Sequence, residues 1–262
     1  MAGMIDTHTH LYDEAFNADR DAAIARAMEK GVKRLLLPNI DASTVEPMMN
    51  LCHRYKGVCF PMIGLHPTSV GHDFEQQLTR LEPCLKDGSA VAIGETGIDL
   101  YWDKQYLKEQ IASFRIQIGW AKKYNLPLVI HCRNSYHEII AELKQAHDEK
   151  LRGVFHCFPG NERQADEVTA MGFMLGIGGV VTYKNAEMAK VVRHTDISRL
   201  LTETDAPYLP PVPHRGKRNE SAYLTVIVQT IAALKSVTEE EVAFQTEKNA
   251  QKCFFPNSKN LC

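Results

Sequence analysis

The sequence predicts a (β/α)8 barrel, the TIM-barrel architecture, as a single domain over residues 1–262 with its active site at the C-terminal ends of the strands. Short apolar runs alternate with amphipathic, helix-like stretches along the whole chain, which is the pattern of a parallel sheet with crossover helices. Eight such runs are present, and residues with metal-binding chemistry recur where they end. The length of 262 residues, 44% of them hydrophobic, matches a barrel of about 250 residues and supplies a substantial core.

The predicted strands are 4–7, 34–38, 59–65, 90–94, 128–131, 154–157, 174–178 and 200–203. Between the first two lies a helix over 19–30, closed by Gly31, a residue free to take positive φ. The fourth strand is followed by the longest helical pattern, 105–124, where Leu107, Ile111, Phe114, Ile118 and Ala121 recur at helical spacing. After the sixth strand, Asn161 caps a helix that runs to Met171 and stops at Gly172. Helices over 222–234 and 239–252 complete the chain. No repeat, low-complexity stretch or linker interrupts the pattern. Pro207 to Pro213 follow the eighth strand and therefore read as a loop on the catalytic face rather than a domain boundary.

Composition narrows the class. Charged residues make up 24% and the net charge is −2, so the chain lacks the basic balance of a dedicated duplex-DNA binder. Any contact with nucleic acid is then expected to be local and assisted by metal. Seven cysteines without a CxxC pair argue against a disulfide framework or a zinc ribbon. MAGMIDTHTH has no signal-peptide pattern, and no apolar run approaches the roughly 20 residues that span a bilayer. The expected setting is cytoplasmic and away from membranes, with a monomer as the default.

The strand ends carry the chemistry. The first ends in Asp6-Thr7-His8-Thr9-His10, the fourth in Gly94-Glu95-Thr96-Gly97, the fifth in His131, the sixth in His156, and the eighth in Glu203-Thr204-Asp205. A barrel brings these ends to one mouth. On an extended strand, residues i and i+2 point the same way, so His8 and His10 can share one cation, with Asp205 as a third ligand. His131 and His156, on adjacent strands, can hold a second metal, and Glu95 can bridge both. Two such metals activate water and stabilise attacking and leaving oxygens. Glu95 and Asp205 are the candidate catalytic carboxylates, Asp205 orienting or deprotonating the water. A single histidine at a strand end is commonly structural, and HxH alone is a weak motif. Recurrence at five of eight ends is what points to a metal site.

Further residues border the mouth. His66 ends the third strand and suits a substrate phosphate contact, the orientation of a ligand, or a structural role. Arg133 can reach a substrate oxyanion or pair with a surface carboxylate. The basic segment His214 to Glu220 supplies Arg215, Lys217 and Arg218, which suit a phosphate backbone or simply a solvated loop. Tyr101 and Trp102 suit rim packing or stacking on a base. His53, His72, His147 and His194 lie away from strand ends and read as unremarkable.

Taken together, Ile5-Asp6-Thr7-His8-Thr9-His10-Leu11, Gly94-Glu95-Thr96-Gly97-Ile98-Asp99, the His131 and His156 strand ends, and Glu203-Thr204-Asp205-Ala206-Pro207-Tyr208 resemble the TatD-type metal-dependent deoxyribonucleases of the amidohydrolase-like superfamily. The resemblance covers nearly the whole chain, through Asn249 and Phe254-Phe255. It implies His8, His10, Glu95 and Asp205 at one metal and Glu95, His131 and His156 at the other. It further implies exonucleolytic hydrolysis of single-stranded DNA, from the 3′ end, with a divalent ion such as magnesium. Four histidines suit zinc or manganese better, because magnesium prefers oxygen ligands. Two loops depart from the family: Ser221 stands where relatives often have Pro, and Phe158-Pro159-Gly160 where they often have Phe-Ser-Gly. Two rival readings are a hydrolase of small esters, lactones, amides or aminoacyl esters on the same barrel, and a metal-binding adaptor without catalysis. Many lactone and amide hydrolases carry a bridging Lys at the fourth strand, and no Lys lies between Gly88 and Asp103.

Overall fold

The computed structural model describes residues 3–102, 104–146 and 148–256, which leaves His147 and Cys262 outside the described residues. Its eight strands are β1 Met4–Asp6, β2 Val32–Pro38, β3 Cys59–Ile63, β4 Ala92–Asp99, β5 Leu128–Arg133, β6 Gly153–Phe155, β7 Phe173–Ile177 and β8 Leu200–Thr202. They pair in parallel in sequence order, β1 to β8, as the alternating pattern predicts. The helices are α1 Arg20–Glu29, α2 Val45–Arg54, α3 Phe74–Leu81, α4 Leu107–Tyr124, α5 Tyr136–Ala146, α6 Glu162–Ala170, α7 Glu187–His194, α8 Leu224–Lys235 and α9 Glu239–Phe254. Asn161 caps α6 through a reciprocal pair with Gln164, as its position predicts.

The barrel closes where β1 and β8 run on into neighbouring segments. The Thr7 amide donates to the Thr202 carbonyl at 3.1 Å, the Asp205 amide to His8 at 2.9 Å, and the His10 amide to Ala206 at 2.7 Å. The buried Asp6 carboxylate accepts from the amide and hydroxyl of Thr204, at 2.9 and 2.6 Å.

Each strand sends one apolar side chain into the barrel. Ile5, Leu36, Met62, Ala92, Val129, Val154, Met174 and Leu201 form a buried layer, closed from below by Ala250, Cys253 and Phe254 of α9. The alternate residues, among them Leu35, Ile63, Ile93, Ile130, Phe155 and Leu175, face outward into the larger core beneath the helices. Both faces of the sheet are thus buried, which explains strands that read as near-continuous apolar runs. Truncating Leu36 to alanine opens a cavity in the inner layer and is expected to cost about 2–5 kcal/mol. Urea unfolding of the variant checks this, and a loss below about 1 kcal/mol would contradict the placement of Leu36.

Most strand bounds differ from the predicted ones by one or two residues, but β4 differs in kind. It was expected at 90–94 and instead runs from Ala92 to Asp99. Gly94 and Gly97 permit this by letting β4 lie close on β5. A Cβ on Gly94 would fall 2.6 Å from the Val129 side chain, and one on Gly97 2.1 Å from the His131 carbonyl. The β4–β5 register slips between Ile93 and Thr96, so Glu95 sits at a bulge, a device that re-aims a side chain.

Candidate metal centre

The inner layer sets the height of the site. Two residues beyond Val129 comes His131, two beyond Val154 comes His156, and two and four beyond Leu201 come Glu203 and Asp205. Strand alternation carries His131 and His156 above this apolar floor, and beyond the end of β8 the chain turns through Asp205, at φ of 58°, to bring its carboxylate to the same place. His131, His156 and Asp205 join His10 and Glu95 in lining a cavity of about 640 Å³, to which Asp99, Trp102 and Arg133 also contribute, while His8 and Glu203 are fully buried against them.

Glu95 stands at the middle of the cluster and divides it. Its Oε2 lies 3.1 Å from His8 Nε2 and 3.7 Å from His10 Nε2. Its Oε1 lies 2.9 Å from His131 Nδ1, 3.3 Å from His66 Nε2 and 3.7 Å from His156 Nε2. Asp205 Oδ1 faces His10, His8 and His156 at 3.5, 3.7 and 4.0 Å. Three overlapping groups of ligand atoms have cation-binding spacing: His8, His10 and Glu95; His8, His156 and Asp205; His66, Glu95 and His131. His131 and His156 share no such group among the described residues, and their ring centroids stand 6.4 Å apart. His66, expected to serve substrate or to orient a ligand, stands beside His131 as a further potential donor.

Outer partners fix how the imidazoles present themselves. Tyr12 donates its hydroxyl proton to the Pro38 carbonyl at 2.6 Å, so it accepts from His10 Nδ1 at 3.1 Å. That leaves a bare lone pair on His10 Nε2, 3.3 Å from His8 Nε2. His131 Nε2 donates to Asp99 at 2.8 Å, which turns Nδ1 toward Glu95. His156 Nδ1 lies 2.9 Å from Glu203, whose carboxylate also takes the Cys157 amide at 2.5 Å. Gly176 makes room for that carboxylate, since a Cβ there would stand 2.3 Å from it. Such partners set the tautomer and aim of a metal-binding histidine.

The electrostatics favour added positive charge. Burial alone would raise the Glu95 carboxyl, but His66, His8 and His156 outweigh it and hold it well below the usual range. Asp205 is likewise pushed up by burial and held down by His156, His10 and His8. Burial lowers His156, and the carboxylates Glu203, Glu95 and Asp205 more than reverse this, to about 10. Burial lowers His131 as well, and its bonds to Asp99 and Glu95 bring it above the ordinary value. The carboxylates thus draw protons onto His131 and His156, and a cation bound among the same nitrogen and oxygen atoms would meet that demand by displacing them. The donor set fits divalent ions that accept nitrogen and oxygen ligands.

The expected phosphate contacts divide. Arg133 lines the cavity, with its guanidinium 3.7 Å over the Tyr101 ring. Arg215 is exposed and lies 4.4 Å over Tyr183. The Lys217 side chain is exposed, and its amide closes a turn on His214. Arg218 turns away from the cluster to bind Asp19 at 2.6 and 2.9 Å and the Ala15 carbonyl. Tyr12, Asp99 and Glu203 carry parts of this arrangement that the sequence reading gave no role. Asp99 and Glu203 stood within quoted motifs, and a strand continued through Gly97 would have placed Asp99 at the mouth. Replacing Glu203 by Gln keeps its shape and removes the charge behind His156. Metal affinity is expected to fall roughly 10- to 100-fold. Competitive titration with a chromogenic chelator checks this, and an unchanged affinity would sever Glu203 from the site.

Comparison with known proteins bears on what this cluster does. The family model for TatD related DNases matches residues 5–255. The chain is 38% identical over 252 residues to the uncharacterized metal-dependent hydrolase YabD of Bacillus subtilis, covering 96% of this chain and 98% of that one. It is 31% identical over 257 residues to the 3'-5' ssDNA/RNA exonuclease TatD of Pectobacterium carotovorum, covering 96% and 99%. Among solved structures, YJJV, a TatD homologue from Escherichia coli K12, superposes with a TM-score of 0.89 at 27% identity, over 96% of this chain and 97% of the other.

Proposed function

This chain belongs to the TatD-related DNase family of metal-dependent hydrolases, and from that premise we propose that it cleaves phosphodiester bonds of single-stranded DNA from the 3′ end with two divalent cations. The observation that carries the reading is the division of Glu95, one oxygen toward His8 and His10 and the other toward His131, His66 and His156. That is the disposition a bridging carboxylate needs. In this reading His8, His10, Glu95 and Asp205 hold one cation and Glu95, His131 and His156 the other, with zinc or manganese suiting the imidazoles better than magnesium. Cations held by these residues would supply Lewis acidity toward a water and the phosphoryl oxygens.

The chain's own residues do the rest. Asp205 keeps an ionised carboxylate at the cavity wall, where it orients the attacking water and accepts its proton. Asp99 and Glu203 steady His131 and His156 against rotation as charge moves. Arg133 stands in the cavity as a cation for a phosphate oxygen or for the chain leading to it.

The test is cleavage of end-labelled single-stranded DNA, double-stranded DNA and RNA by metal-stripped protein, repeated with Mg²⁺, Mn²⁺ and Zn²⁺. A metal-restored ladder shortening from the 3′ end is expected on single-stranded DNA. Turnover of small esters or lactones by the metal-loaded protein, with every nucleic acid left intact, would overturn the reading.

A further inference from the structure

Just beyond β4, next to the carboxylate that partners His131, stands an aromatic pair that the fold leaves in solvent. Trp102 is 71% exposed and Tyr101 is 52% exposed, although aromatic side chains are ordinarily among those a fold conceals. Their rings meet edge to face, with centroids 4.8 Å apart and planes at 90°. The Arg133 guanidinium lies 3.7 Å from the Tyr101 ring centre and 5.4 Å from that of Trp102. Trp102 and Arg133 line the same cavity as Glu95, Asp99, His131 and Asp205.

The pair is tied to the metal cluster through one carboxylate. Asp99 accepts the His131 imidazole on Oδ2 at 2.8 Å and the Tyr101 amide on Oδ1 at 2.9 Å. The Asp99 backbone is itself gripped from α4: its amide donates to Gln110 Oε1 at 2.8 Å, and Gln110 Nε2 donates to its carbonyl at 3.2 Å. The backbone that carries the pair is therefore anchored beside His131. Such an arrangement of exposed aromatic faces beside a cationic plane suits a nucleobase, which offers a π-face whatever its sequence. The chain's net charge of −2 adds weight, because it is not the basic balance of a protein that binds mainly through the phosphate backbone.

We propose that Tyr101, Trp102 and Arg133 form a nucleobase-binding platform that stacks an unpaired base of the substrate strand beside the metal centre; the inference rests on the nuclease reading above and names its subsite. Stacking on this platform requires a base already free of its partner, so the platform selects single strands without selecting sequence.

The chain's two tryptophans make the test direct, because Trp120 is only 6% exposed and Trp102 alone is open to a ligand. A hydrolysis-resistant phosphorothioate thymidine tetranucleotide added to metal-loaded protein is expected to quench Trp102 emission. In kinetics, Trp102→Ala is expected to raise KM for a thymidine oligonucleotide roughly 10- to 100-fold with kcat within about twofold. The unmodified protein is expected to lose the same factor when the substrate's bases are replaced by abasic residues, and the two losses should not add. Unquenched emission overturns the platform even if DNA is cleaved, as does an unchanged KM or additive losses. Quenching by a tetranucleotide in a protein that cleaves no DNA would instead sink the nuclease reading and leave a nucleobase site.

Discussion

Glu95→Ala is expected to reduce hydrolysis on the order of 10⁴-fold, equivalent to about 5.5 kcal/mol of barrier, and to strip the protein of metal. The reason lies in what the carboxylate separates. Its removal takes away the carboxylate that stands between His8 and His10 on one side and His66, His131 and His156 on the other, and of the candidate ligands Asp205 alone remains as an anion, facing His8, His10 and His156. Neither of the two proposed cation positions would keep its shared ligand, and the charge of Glu95 and Asp205 that would offset the ions is halved. Glu95→Gln separates charge from shape, since it fills the same volume as a neutral amide. It is expected to retain the fold, lose most of its metal and fall nearly as far in rate. Metal content by emission spectroscopy, circular dichroism and initial rates on labelled DNA check these statements together. Glu95→Ala protein with more than about a tenth of native activity would end the bridging role.

Asp205→Asn is expected to lower kcat on the order of 10³-fold, with a smaller loss of metal. The choice of asparagine follows from the backbone. Asp205 has φ of 58°, a left-handed conformation that Asn tolerates and that strains most other side chains. The substitution therefore leaves the loop intact and removes only the charge and the basic oxygen. His10 and His8 remain 3.5 and 3.7 Å from the position of the missing anion, so the first cation stays held by three of its four proposed ligands. What is lost is the group proposed to take a proton from water. A kcat within tenfold of native, measured at saturating metal, would remove Asp205 from proton transfer and leave it a ligand alone.

The barrel itself was legible because parallel strands buried on both faces must be apolar on both, and eight such runs stand out in the chain. The same property hid which residues point inward. Leu35, Leu36 and Leu37 are chemically alike, and only the assembled barrel assigns Leu36 to the inner layer. The metal cluster was legible as residue types at strand ends, since His8, His10, Glu95, His131, His156 and Asp205 do meet in one cavity or against it. Asp99 was not, because Gly94 and Gly97 read locally as the end of a strand. Their contacts with Val129 and His131 on β5 are what carry β4 onward. Arg218 shows a different gap: its charge is plain in the sequence, but its partner Asp19 stands 199 residues earlier. Direction comes from tertiary structure, and a basic segment announces only that charge is available.

The closure of the barrel between its first and last strands has a bearing on when the protein becomes active. His8 and His10 are made first and Asp205 near the end, and the amides of Thr7, His10 and Asp205 stitch the two regions together. Synthesis proceeds from the N-terminus at about 5–20 residues per second, so a growing chain carries its first histidines for many seconds before their carboxylate partner exists. The α9 residues that plug the floor arrive later still. A ribosome-bound or prematurely terminated chain consequently holds only scattered donors, and the hydrolase would emerge with its candidate site unassembled until the last strand is in place.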